Sequence, residues 1–172
     1  MRLTQHIRCI IMEEAYPNDE LEYRMNTYKW IPIIICFLLL LAGCSTTHSI
    51  DTSSTRTLKK DLKDLSPSIK RVQFTFTRPN LFCRIDMRNE PSTEELESIL
   101  AEFKEFSTMD NMNEIARSVK WGLEISEIHV DINTDKDKKS IEHAYYARYF
   151  KTFDASDHSE ANIEGYRIWY EI

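Results

Sequence analysis

Two runs of strict alternation, separated by a short turn, constrain the fold of this chain more than any other feature. Between Ile69 and Thr77, Val72, Phe74 and Phe76 alternate with Arg71, Gln73 and Thr75, and after Arg78-Pro79-Asn80 the residues Leu81, Cys83, Ile85 and Met87 repeat the pattern. A β-strand sends successive side chains to opposite faces, so this spacing predicts a hairpin with one buried face and one wetter face. Cys83 falls on the apolar face, which makes it a buried thiol rather than a nucleophile needing an electropositive, partly open setting.

Helical periods flank the hairpin. Leu58, Leu62 and Leu65 recur among lysines and aspartates and stop at Ser66-Pro67, which predicts a short surface helix ahead of the main domain. Pro91-Ser92-Thr93-Glu94-Glu95 is a helix start, with Ser92 as N-cap, Glu95 three residues on, and acidic side chains facing the helix dipole. Leu96, Ile99, Leu100, Phe103 and Phe106 then make one apolar stripe. Such a stripe packs a helix on a sheet. Met112, Ile115, Ala116 and Val119 mark a second, shorter helix or a kinked continuation of the first, ending at Gly122.

Strands are expected again from Ile128, Val130 and Ile132, from the aromatic run Ser140 to Phe153, and from the alternating tail Ile163 to Ile172, although Ile163, Tyr166 and Trp169-Tyr170 would also suit a helix. The sum is an α+β domain of two layers, over residues 58–172. It has an antiparallel sheet of four or five strands and one or two helices on one face, in the order ββα(α)ββ(β).

Upstream, Trp30 to Gly43 is an apolar run preceded by Arg24 and Lys29. It falls short of the roughly 20 apolar residues that cross a bilayer and reads instead as the hydrophobic part of a signal peptide. The run closes on Leu41-Ala42-Gly43-Cys44, followed by Ser45, which resembles the lipobox of bacterial lipoproteins. That resemblance implies diacylglyceryl transfer to the Cys44 thiol and cleavage after Gly43. The mature chain would then begin at Cys44, fixed to a membrane on its extracytoplasmic side. Residues 1–24 carry Glu13, Glu14, Asp19, Glu20 and Glu22 where a short positive segment is expected, so residues 25–43 are taken as the signal peptide and 1–24 as a non-native extension. Residues 44–57, rich in serine and threonine, are expected to form a flexible tether.

Composition narrows function. A net charge of -6 without a basic block gives nothing to attract nucleic-acid phosphates or anionic lipid, so nucleic acid is not expected as a partner. Gly122 and Gly165 are the two glycines beyond Gly43, too few for a phosphate-cradling loop, and no cofactor signature occurs. Beyond the anchor region, Cys83 stands alone, which excludes an internal disulfide there.

Three groups of residues are candidates for chemistry. Asp131, Asn133, Asp135, Asp137 and Glu142 have the oxygen-ligand spacing of a calcium loop and resemble an EF-hand loop in those positions alone. Lys136 stands where the turn glycine belongs, which favours a solvated turn. Asp154, Asp157, His158 and Glu160 could ligate a metal or do acid–base work, against the simpler reading of a polar loop. Tyr146, Arg148 and Phe150, with Trp169 nearby, combine residue types enriched where proteins grip partners. The competing reading is cross-strand aromatic pairing with Tyr166, Trp169 and Tyr170. With no HExxH, GxSxG or CxxC motif, a non-enzymatic envelope module that binds a protein or a ligand is the expectation. The alternative is a cell-envelope hydrolase or metal-dependent enzyme using residues 129–160.

Overall fold

The structure, a computed structural model, describes residues 46–134, 141–152 and 154–172. The calcium-like residues Asp135 and Asp137, the apolar run and Cys44 lie outside the described residues.

Among the described residues the strands are β1 (Thr47–Ile50), β2 (Ile69–Thr77), β3 (Asn80–Met87), β4 (Glu127–Asn133), β5 (His143–Arg148) and β6 (Trp169–Glu171). The helices are α1 (Ser53–Leu65), α2 (Thr93–Phe106) and α3 (Met109–Ser118). This is the expected α+β domain, and the strands lie side by side in chain order in a single six-stranded sheet. The sheet is mixed rather than antiparallel, because β3 and β4 run parallel, with Leu81 opposite Ile128 and Ile85 opposite Ile132. The reason lies in the connection. A tight turn reverses the chain, whereas α2 and α3 carry it from the far end of β3 back to the end where β3 began, and a strand entered from there must run parallel.

The hairpin alternation maps onto two faces. Phe74, Phe76, Leu81, Cys83, Ile85, Ile128, Val130 and Ile132 are buried against Leu58 and Leu62 of α1, Ile99 and Phe103 of α2, and Met112 and Ile115 of α3. Each such side chain contributes about 1.5–3 kcal/mol by leaving water. Phe74, Phe103 and Phe106 pack ring to ring at 5.8 to 6.4 Å where α2 crosses the sheet.

Residues 47–57 are not a tether. Thr47–Ile50 pairs with Phe74–Thr77 as an edge strand, and α1 begins at Ser53. The serines and threonines that lower hydrophobicity here are the residues that start helices. The Thr52 hydroxyl accepts from the Thr55 amide while the Thr55 hydroxyl accepts from the Thr52 amide. The Glu114 carboxylate of α3 also accepts from the Ser53 and Ser54 amides, at 3.0 and 3.2 Å. α1 lies at the surface as its period predicts, but it is part of the domain rather than ahead of it, since Leu58 and Leu62 are buried in the core.

The tail forms less strand than its alternation predicts. Gly165 (φ 58°) and Tyr166 (φ 61°) are consecutive left-handed residues, and this turn delays strand pairing until Trp169. Tyr166 is held in that conformation by burial of its ring and by a hydrogen bond from its hydroxyl to the Ile125 carbonyl. A buried side chain with a satisfied polar tip offsets the cost of a positive φ outside glycine.

Candidate functional site

With the described helices on one face of the sheet, the other face is left to side chains of the opposite parity. From β3 to β6 the register places Phe82, His129, Tyr146 and Tyr170 directly opposite one another. Neighbouring strands lie about 4.8 Å apart, so rings in register meet face to face. Phe82 and His129 stack with centroids 4.8 Å apart, His129 and Tyr146 at 6.0 Å, and Tyr146 and Tyr170 at 5.0 Å, all within 24° of parallel. The result is a four-ring ladder across the open face. Its ring faces are turned on each other, which leaves ring edges and polar atoms to the outside.

Charged side chains flank the ladder. The Arg148 guanidinium donates from Nε and Nη2 to the two oxygens of Glu164, both at 3.0 Å, and the Tyr170 hydroxyl lies 3.1 Å from Nη2. Glu164 is almost fully buried, and its hydrogen bonds lead the causes that push the Arg148 pKa up. His129 Nε2 sits 2.8 Å from the Glu127 carboxylate. Asp131, one register step on, is pushed up chiefly by desolvation, and the nearby charges of His129 and Arg84 oppose that shift. Asp86 moves the other way. Burial would raise its carboxyl, but hydrogen bonds from Arg84 and Arg71 outweigh it.

Between the ladder and the loop that follows β5 lies an open cleft of about 580 Å³, walled by Asn80, Ser126, Glu127, His129, Tyr146 and Arg148, with Lys151 and Thr152 on the loop side. Asn162 shapes that loop. Its side-chain oxygen accepts from the Thr152 amide and hydroxyl, and its side-chain nitrogen donates to the Asp154 and Asp157 carbonyls.

The binding candidates separate in space. Tyr146 and Arg148 share the open face, as their spacing predicts. Phe150 is buried beyond the end of β5, packed on Tyr149 and His158, and forms part of the cleft wall. Trp169 is corrected. It pairs with Ala147 and packs against Phe103 on the helix side, and Tyr170 takes the open-face position. Strand parity in a segment with a turn at Gly165 and Tyr166 is not readable until the pairing is known. Phe82 and Glu127 are members of the site that the sequence does not single out, and His129, which falls in the 129–160 range of the enzyme alternative, joins the aromatic ladder. They occupy the positions between the buried residues of the hairpin and of β4, which was the available signal.

The calcium-like spacing is not built into a described loop. Asp131 lies inside β4 in extended backbone, Asn133 is buried at the strand's end, and the Glu142 carboxylate accepts the Thr134 amide at 2.9 Å. Among the described residues no three His, Cys, Asp or Glu side chains are placed to hold a metal. Asp154 accepts from the Ser156 amide and Asp157 from the Ser159 amide, each at 3.0 Å, so these carboxylates brace their own loop. His158 packs on Phe150. Cys83 is fully buried, and burial first, with the charge of Asp131 second, raises its pKa far above that of a reactive thiol.

No protein-family model, no curated protein and no solved structure matches this chain.

Proposed function

We propose that this chain is a lipid-anchored envelope protein, held to a membrane through Cys44, whose domain is a non-enzymatic binding module for a protein partner. The anchor half of the reading rests on the apolar run and the lipobox-like Leu41-Ala42-Gly43-Cys44. The observation that carries the binding half is the open sheet face, where the four-ring ladder is covered by no described helix and its His129 and Tyr146 border a cleft together with Arg148. Tyrosine and arginine held in place by stacking and ion pairing lose little entropy on binding, which is why such residues dominate interface energies. The face mixes Arg71, Arg84 and Arg148 with Asp86, Asp131 and Glu127, a polar rim of both signs suited to a protein surface rather than to a polyanion.

The test is site-directed photo-crosslinking in intact cells, with the probe at Gln73 on the open face and at Lys63 on α1 as control. A discrete partner is expected from Gln73 alone, and lost in Phe82→Ser/Tyr146→Ser after the double variant is shown to be folded. Equal crosslinking from both probes, or none, overturns the binding reading. Incorporation of labelled fatty acid, abolished in Cys44→Ser, checks the anchor separately.

One observation favours a second reading, that of an envelope hydrolase. The His129–Glu127 pair lies in the cleft wall beside Ser126, where an imidazole oriented by a carboxylate could act as a base. Glu127→Gln separates the two. It would abolish turnover of an envelope substrate under the second reading, and leaves partner crosslinking in place under the first.

A further inference from the structure

The position of β1 carries a consequence for how the domain meets the membrane, on the reading that Cys44 bears the lipid. Thr47 is already in the sheet, opposite Thr77, and it lies three residues after Cys44. An extended chain spans at most about 3.3–3.6 Å per residue, so the acylated cysteine is within roughly 10 Å of the edge strand. A link of that length keeps the β1 end of the sheet close to the bilayer.

The residues around that point of emergence suit a lipid surface. Thr77 leads into the exposed β2–β3 turn, where the Arg78 guanidinium sits 5.4 Å over the Trp121 ring, and that ring in turn lies 6.1 Å from Phe76 of β2. Lys120 is exposed beside Trp121, and Leu123 is 65% exposed, one of the most exposed large apolar side chains described. A tryptophan, a leucine and two cations close together match the side chains that settle at a membrane interface, apolar bodies inward and charges at the headgroups. The sequence shows no basic block because Arg78 and Lys120 are far apart in it, and the fold brings them together. Of the acidic residues at the same end, Glu124 follows Leu123 directly and Glu127 is paired with His129, while Asp154, Asp157 and Glu160 sit on the loop after β5, which lies four strands across from β1, about 19 Å at the usual strand spacing.

We infer that the corner of the domain formed by Arg78, Lys120, Trp121 and Leu123 rests on anionic lipid headgroups of the membrane that holds Cys44. The β1 edge is then down and the acidic loop away from the surface. The open face stands beside the membrane, reachable from the side.

The full-length protein, processed in cells and reconstituted into vesicles containing phosphatidylglycerol, tests this. A fluorophore is placed at Gly122→Cys, an exposed site with open space around it, or at Asn89→Cys at the opposite end of the sheet. Nitroxide-bearing lipids are expected to quench the label at 122 several-fold more than the label at 89. That difference should vanish in Arg78→Glu/Lys120→Glu/Leu123→Glu. Equal quenching of the two labels on protein whose Cys44 is acylated overturns the inference and spares the lipoprotein reading. Selective quenching that survives the triple variant also overturns it, since the short link alone would then account for the proximity. Absence of acyl groups on Cys44 by mass spectrometry overturns both.

Discussion

Arg148 and Glu164 are joined by two parallel hydrogen bonds of 3.0 Å, and the carboxylate of the pair is nearly sealed from solvent while the guanidinium is about one-third exposed. The pair ties the end of β5 to the loop that returns toward β6. It also fixes the guanidinium over the Tyr170 ring, 5.0 Å from its centroid. Arg148 is thereby both a structural clamp and part of the candidate binding face.

Removing one partner leaves a charge buried without its counter-ion. Arg148→Met is expected to destabilise the domain by about 3–5 kcal/mol, whereas Arg148→Met/Glu164→Leu should recover most of that loss. Urea unfolding of the two variants, compared in a double-mutant cycle, gives the coupling. A cycle that shows no coupling would mean that Arg148 and Glu164 do not act as a clamp.

The start of α1 offers a test of where the domain begins. Thr52→Ala deletes the hydroxyl of the reciprocal cap and should cost about 1 kcal/mol. Glu114→Gln, which weakens the carboxylate acceptor for the Ser53 and Ser54 amides, should cost a comparable amount. Thermal denaturation followed by circular dichroism is sufficient. Unchanged melting in both variants would return residues 47–57 to the status of a tether.

Two aspartates of the open face should respond to pH with opposite signs. Asp86, lowered because arginine hydrogen bonds outweigh its burial, adds stability above its unfolded pKa, and that stability is lost as pH falls through the lower folded value. Asp131, raised by desolvation, contributes stability that is full below its unfolded pKa and lost as pH rises through the higher folded value. Asp86→Asn should therefore be less stable than the parent at neutral pH, with the gap closing below the usual aspartate range. Asp131→Asn should be more stable than the parent at neutral pH, with the gap closing as the medium is acidified toward that range. Stability curves measured from pH 3 to pH 7 would distinguish the signs, and parallel curves for the two variants would contradict them.

Burial of Cys83 sets its chemistry. Its labelling by a maleimide should track global unfolding, because no lesser motion exposes a side chain at the centre of β3 between β2 and β4. Peptide mapping after timed labelling in rising urea identifies the site. Labelling of Cys83 in native buffer at the rate of an exposed thiol would contradict the packing described.

Much of the fold was legible because alternation and helical period are local. Val72, Phe74 and Phe76 against Leu81, Cys83 and Ile85 specify a hairpin whatever else the chain does, and the Ser92 cap with the stripe ending at Phe106 specifies α2. The limits of β1 and α1 were misread because serine and threonine serve equally in a solvated linker and in a helix cap. Composition over 44–57 does not distinguish the two. Only pairing with β2 and the reach of Glu114 do.

The site was half legible for the same reason. Tyr146 and Arg148 stand two apart on one strand, so their shared face follows from the pleat. That Phe82, His129 and Tyr170 join Tyr146 in one ladder depends on the register of β3, β4, β5 and β6. Trp169 went to the helix side because the left-handed turn at Gly165 and Tyr166 decides where the last strand begins. The sequence by itself determined which residues are apolar at strand or helix spacing, and so the two-layer α+β class. The tertiary structure decided that β3 and β4 run parallel, which side chains meet across strands, and which scattered charges share a corner. Those depend on contacts between residues far apart in the chain, and the periodicity of a segment carries no information about the segment it will meet.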